Sequence, residues 1–177
     1  MKTLLIVGHP YYKNSFANRI IVQYVQKKFD KNLEVRNLIE LYPDYKINVA
    51  NEQKYLLNSD LIVLQFPIFW ASIPAILKLW IDEVFTNDFA YGKVYKLKGK
   101  KIMVSTTLSG DYNRENLYNV ENKILFPILG LANFCKMEYL SPLILFNVDK
   151  KSKIDIIKHA DLLVLKIKQM IATLQAK

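Results

Sequence analysis

Five short strand-like runs, each broken after a few residues and each followed by a stretch of helical period, constrain this chain more than any other feature. The runs are Lys2 to Val7, Leu33 to Leu38, Leu61 to Leu64, Lys100 to Thr106 and Tyr139 to Phe146. Short apolar runs of this kind suit strands buried on both faces. Between them, Ser15 to Phe29 places Ile20, Ile21, Tyr24 and Val25 on one helical face, and shorter helices are expected around Glu52 to Leu57 and from Pro74 to Phe85. Arg114 to Asn133 reads as a helix interrupted at Pro127, and Ser152 to Gln175 as a closing helix with His159 on its surface. In that last helix Ile156, Ala160, Leu163, Ile167, Met170 and Leu174 recur at four and three residues, a stripe for a core rather than for a long coiled coil. Parallel strands need long crossovers, and here the crossovers are helical. The expected fold is α/β, a five-stranded parallel sheet with helices on both faces; right-handed connection leaves two common strand orders, of which 2-1-3-4-5 fits five strands better.

Composition agrees with one domain spanning residues 1–177. The chain is 51% hydrophobic and 23% charged, with only five glycines and six prolines, so it can bury a core. Cys135 is the lone cysteine, which excludes an internal disulfide or a cysteine-pair zinc site and suits a reducing, cytoplasmic compartment. The apolar N-terminal run is too short for a signal peptide or an integral membrane segment. The net charge of +9 raises nucleic acid as a partner. Yet the lysines are dispersed, the densest cluster being Lys96, Lys98, Lys100 and Lys101, and no arginine-rich arm, zinc finger or aromatic RNA-binding motif accompanies them. A basic surface that attracts anionic cofactors is the simpler expectation, with no nucleic-acid role.

In such sheets ligands bind beyond the carboxyl ends of the strands, where the strand order reverses. Three loops lie there. Gly8 to Asn18 lacks the glycine spacing of known mononucleotide and dinucleotide loops. It does put Ser15 and Asn18 at a helix entrance behind His9, which suits a phosphate, or else merely caps the helix. Gln65 to Ile73 sets Phe66, Phe69 and Trp70 between strand end and helix start, fitting a flat ligand, a subunit interface or both. Ser105 to Tyr112 offers hydroxyls and backbone donors, or is an ordinary polar loop.

Taken together, His9-Pro10 with Ser15 and Asn18, Gln65-Phe66-Pro67-Ile68-Phe69-Trp70, Pro74-Ala75-Ile76-Leu77-Lys78 with Trp80-Ile81-Asp82, and Phe89-Ala90-Tyr91-Gly92 resemble the NAD(P)H:quinone oxidoreductases of flavodoxin-like fold. Among these, the chain is similar in size to the small bacterial FMN-type quinone reductases and the ancillary flavoproteins of potassium efflux. The resemblance implies a homodimer with one flavin per subunit, FMN or else FAD, taking hydride from NAD(P)H and passing two electrons to a quinone or related acceptor in ping-pong fashion. It implies that His9, Ser15, Phe16, Ala17 and Asn18 hold the flavin phosphate, Ala17 through its backbone. It further implies that Pro67, Ile68, Phe69 and Trp70 line the isoalloxazine, that Thr106, Thr107 and Tyr112 meet its polar edge, and that Phe89 and Tyr91 border the substrate pocket. Tyr118 sits where some relatives carry a catalytic histidine, as a proton donor or as packing, and Tyr112 is the other candidate catalytic residue. Relatives follow the threonine pair with two glycines, where this chain has Leu108-Ser109. A competing reading is a regulatory partner of a membrane potassium-efflux transporter. A one-electron carrier fits less well, because those proteins are acidic and use a different phosphate loop. A receiver domain lacks its acidic pocket after the first strand.

Overall fold

The computed structural model, which describes residues 2–29 and 32–175, contains five strands in the order β2-β1-β3-β4-β5. These are β1 (Thr3–Val7), β2 (Leu33–Asn37), β3 (Leu61–Pro67), β4 (Lys101–Thr107) and β5 (Glu138–Leu145), and every adjacent pair is parallel. The helices are α1 (Ala17–Lys28), α2 (Leu38–Leu41), α3 (Val49–Leu57), α4 (Ala75–Val84), α5 (Arg114–Asn119), α6 (Phe126–Phe134) and α7 (Lys153–Gln175). The fold and strand order expected from the crossovers are therefore those observed.

Period two along each buried strand sorts the core into two layers. Leu5, Val7, Leu61, Val63 and Met103 face α1 and α7, where Ile21, Val25, Ile156, Ala160, Leu163 and Ile167 meet them. Leu4, Ile6, Ile62, Leu64, Ile102 and Val104 face the other way, toward Leu56 of α3, Ile76, Leu77 and Trp80 of α4, and Ile128 and Ala132 of α6. Most of the closing stripe packs as its spacing predicts, while the side chain of Leu174 lies outside the described residues.

Three features differ from the sequence expectation. The single helix 114–133 is three pieces, because a π-helical turn at Val120–Ile124 separates α5 from α6 and Pro127 enters at the start of α6, where its missing N–H costs nothing. Residues Leu38–Leu41 add a helical turn straight after β2. His159, expected on the surface of α7, is buried, and its Nε2 has no hydrogen-bond partner. Burial lowers its pKa to about 4, so it sits neutral in the core.

A buried polar knot joins the β2 side to the α3 and α4 layer. Arg36 of β2 pairs with Glu52 of α3 at 2.5 Å, and Glu52 also accepts from the Tyr42 hydroxyl and, at 2.9 Å, from Trp80 Nε1. The Arg36 guanidinium lies over the Tyr55 ring at 3.9 Å. No side-chain nitrogen or oxygen of Arg36, Tyr42, Glu52 or Trp80 is buried without a partner, which is the condition for tolerating a charge pair in a core.

Candidate functional site

The carboxyl ends of β1, β3, β4 and β5 open on one side of the sheet, and a cleft of about 350 Å³ lies there. His9, Ser15, Phe16, Ala17 and Asn18 supply one wall, Pro67, Phe69 and Thr107 the next, and Val148, Asp149 and Lys151 the last. Residues as far apart in sequence as His9 and Lys151 meet because parallel strands all end on the same edge.

The first wall follows from how β1 gives way to α1. Gly8 is the one residue that fits where β1 passes α4, since a Cβ there would stand 2.7 Å from the Cβ of Leu77. His9 is almost fully buried. Its Nδ1 accepts the Tyr11 N–H at 3.0 Å, which leaves the proton on Nε2 as a donor. Burial lowers the His9 pKa to about 4, so at neutral pH it offers a hydrogen bond and no charge. Ser15 Oγ accepts the Asn18 N–H at 3.1 Å, while its own hydroxyl proton stays free to donate. The first turn of α1 adds amides without intrahelical acceptors at the positive end of the helix dipole.

Asn18 lines the cleft and also ties its walls together. Its side-chain Nδ2 donates to Thr107 Oγ1 at 3.0 Å, and its Oδ1 accepts from Gln65 Nε2 at 2.7 Å. The amide ties α1 to β3 and β4 through one Nδ2 proton and Oδ1, so its side chain positions the walls, and its second Nδ2 proton is not engaged. Gln65 opens the aromatic motif in the sequence, but its buried bond to Asn18 is one that no local pattern discloses.

The second wall is a tight hairpin. Phe69 and Ser72 exchange backbone hydrogen bonds of 3.1 and 3.0 Å around Trp70 and Ala71, whose φ values are 49° and 55°. Two consecutive left-handed residues define the primed turn that glycine and asparagine favour, so Trp and Ala here carry strain. The turn thrusts Trp70 wholly into solvent, at 101% relative exposure, and sets Phe69 edge-on against His9, ring centres 5.7 Å apart. Ile68 donates its N–H to the Thr107 carbonyl at 2.8 Å and packs its side chain on the α3 and α4 layer, outside the cleft.

The third wall is laced to the end of β4 by main-chain bonds: Leu108 N–H to Leu145, Val148 N–H to Leu108 and Asn147 N–H to Gly110, each at 3.0 Å. Leu108, replacing a relative's glycine, packs on the core rather than over the cleft. The β5–α7 loop brings Lys151 to the rim, a cation that the sequence reading missed. The rule that ligands sit at strand ends, applied to β5 as well, points to it.

Other expected positions lie apart. Thr106 faces the opposite side of the sheet from Thr107, fully buried with its hydroxyl given to the Phe66 carbonyl at 2.8 Å. Tyr112 is exposed and leans edgewise on Phe146 at 5.4 Å. Tyr118 is exposed on α5 and does not line the cleft. Phe89 is buried in the core and Tyr91 packs on Phe134 at 5.2 Å, so neither borders the cleft of its own chain.

The chain resembles known proteins along nearly its whole length. A family model described as flavodoxin-like fold matches residues 1–165. The glutathione-regulated potassium-efflux system ancillary protein KefF of Enterobacter sp. (strain 638) is 39% identical over 145 residues, covering 78% of this chain and 80% of that protein. YrkL of Bacillus subtilis (strain 168), named an uncharacterized NAD(P)H oxidoreductase, is 35% identical over 169 residues, covering 93% and 96%. Among solved structures, general stress protein 14 of Treponema denticola in complex with FMN superposes with a TM-score of 0.85 at 31% identity, covering 96% of this chain and 99% of that one. Strand order, cleft position and these matches agree, and the chain belongs to the flavodoxin-like fold family.

Proposed function

We propose that this chain is a flavin-dependent NAD(P)H oxidoreductase that reduces quinones or related acceptors, with residues 1–177 as one flavin-binding domain located in the cytoplasm. The observation that carries the reading is the meeting of the His9–Asn18 loop, the Phe69 hairpin and Thr107 around one cleft. The relatives support the chemistry: YrkL is named an NAD(P)H oxidoreductase, and a 29% identical structure from P. pentosaceus is named an NADPH-quinone reductase.

The residues present fit FMN. The group supplies hydride acceptance from NAD(P)H and two-electron delivery to the acceptor. The chain's part is binding and orientation. Ser15 Oγ–H, His9 Nε2–H and the first amides of α1 donate to the phosphate, with Lys151 adding the charge that neutral His9 does not. Asn18 and Gln65 hold that loop against Thr107. Pro67 and Phe69 form an apolar wall for the ring, and Trp70 extends from the turn toward whatever covers the open side. Thr107 would meet the ring's polar edge, since the backbone of Leu108 is already spent on Leu145 and Val148. Exposed Tyr112 and the partly exposed Tyr91 of a second copy would complete a pocket shared by two subunits, while Phe89 stays in the core behind Tyr91 and Tyr118 stands outside it.

A visible absorption spectrum of the purified protein tests the cofactor, followed by release and identification of the chromophore. A yellow protein releasing FMN is expected; a colourless one that gains no absorbance with FMN or FAD rejects the reading. The 39% identity to KefF favours a second reading, a regulatory subunit of a potassium-efflux transporter. Rapid NAD(P)H oxidation with soluble quinones by the isolated protein supports the enzyme, whereas retention by membranes only when such a transporter is present supports the subunit.

A further inference from the structure

The helices on the two sides of the sheet differ in charge. Helices α1 and α7 carry seven lysines and arginines against two aspartates, whereas α3, α4, α5 and α6 carry three basic residues against four acidic ones. More than half of the chain's net charge of +9 thus lies on one face.

That face is also apolar where a solvated helix has no reason to be. Ile154, Leu162 and Leu165 are each more than half exposed. At 100° per residue they fall on the side of α7 away from the buried Ile156, Ala160, Leu163 and Ile167, with Lys158 among them, Asp161, which accepts from the Tyr24 hydroxyl, and Lys168 at one margin and Asp155 at the other. Beside them runs a groove of about 450 Å³ between α1 and α7, where Arg19, Lys27 and Lys153 surround the rings of Phe16 and Tyr24. One helix that buries one apolar stripe and exposes another set among lysines has the composition of a segment at a lipid headgroup boundary.

We propose that the α1–α7 face docks on anionic bilayer surfaces, its lysines and arginines against lipid phosphates and Ile154, Leu162 and Leu165 entering the headgroup layer. A second copy is a poor occupant, since two such faces repel. Nucleic acid would satisfy the cations and leave the exposed aliphatic side chains without a partner. Phe16 lines both this groove and the cleft, so docking brings the cleft's rim to the bilayer, where apolar acceptors dissolve. The inference does not rest on the flavin reading, because vesicle binding is read without it.

Sedimentation of the full chain with vesicles tests it. Phosphatidylcholine vesicles containing about one third phosphatidylglycerol are expected to bind at least about tenfold more tightly than pure phosphatidylcholine, with the difference lost in molar salt, where the screening length falls to roughly 3 Å. The combined variant Lys27→Glu, Lys158→Glu, Lys168→Glu should lose at least about tenfold in binding. Lys93→Glu, Lys96→Glu, Lys98→Glu, the same charge change elsewhere, should lose several-fold less. Leu162→Ser with Leu165→Ser should weaken binding while keeping its salt dependence. If the variants melt early, hydrogen exchange of the unmodified protein on vesicles decides, with protection expected on α1 and α7. Equal binding to both vesicle types, equal loss in the two charge variants, protection confined to other helices, or capture by a DNA duplex or an acidic protein with no vesicle binding each overturns the proposal.

Discussion

Trp70 shows how a single residue can be placed against its own preference. Left-handed backbone costs a bulky residue about 1–2 kcal/mol, and the exposed ring gains nothing from burial in this chain. Trp70→Asn, which tolerates that backbone, is expected to raise unfolding stability by on the order of 1 kcal/mol and to weaken flavin retention. Urea denaturation and flavin titration check the two effects separately. A second residue-level prediction concerns His159. Its folded pKa of about 4 lies below the unfolded value of roughly 6.5. The unfolded state therefore binds the extra proton between those values, so the stability from keeping this histidine neutral is present above pH 6.5 and lost as pH falls toward 4. The loss is on the order of 3 kcal/mol for His159, and His159→Leu should flatten that part of a stability profile. At Glu52 removal leaves Arg36 buried without its anion, so Glu52→Ala should cost about 3–5 kcal/mol by chemical denaturation.

At the scale of elements, periodicity located the strands and the long helices because each buries a regular stripe. It failed where a local device overrides period. The π turn at 120–124 interrupts a continuous helical pattern, and the extra turn at Leu38–Leu41 is too short to show one. The approach of β1 to α4 was equally hidden, since Gly8 reads as an ordinary loop residue until Leu77 is placed 2.7 Å from where its Cβ would stand. Gly8→Ala is therefore expected to push α4 outward and destabilise the fold by about 1–3 kcal/mol, measurable as a lowered melting midpoint together with weaker flavin binding.

For the whole molecule, α6 is the element most out of place in a lone chain. Its sequence Phe126 to Phe134 is apolar nearly all round, yet Phe126 and Phe134 stand about 60% exposed, and Trp70 is fully so. A helix apolar on every side is one that burial completes, and a second copy of this chain is the occupant that the proposed shared pocket requires. Sedimentation equilibrium should give twice the 20.7 kDa chain mass, and Phe126→Ser with Phe134→Ser should shift it toward the monomer.

Hydrophobic period and the handedness of crossovers were enough, from the sequence alone, for an α/β sheet of order 2-1-3-4-5 and for the loops that gather at its carboxyl edge. Those rules act over one element and its connection, so they survive without coordinates. Tertiary structure decided which atoms in those loops are free. Asn18 is tied to Thr107, 89 residues away, and Lys151 arrives from the far end of the chain, because hydrogen-bond partners and neighbouring charges are set by which strand ends share an edge, not by spacing along the sequence.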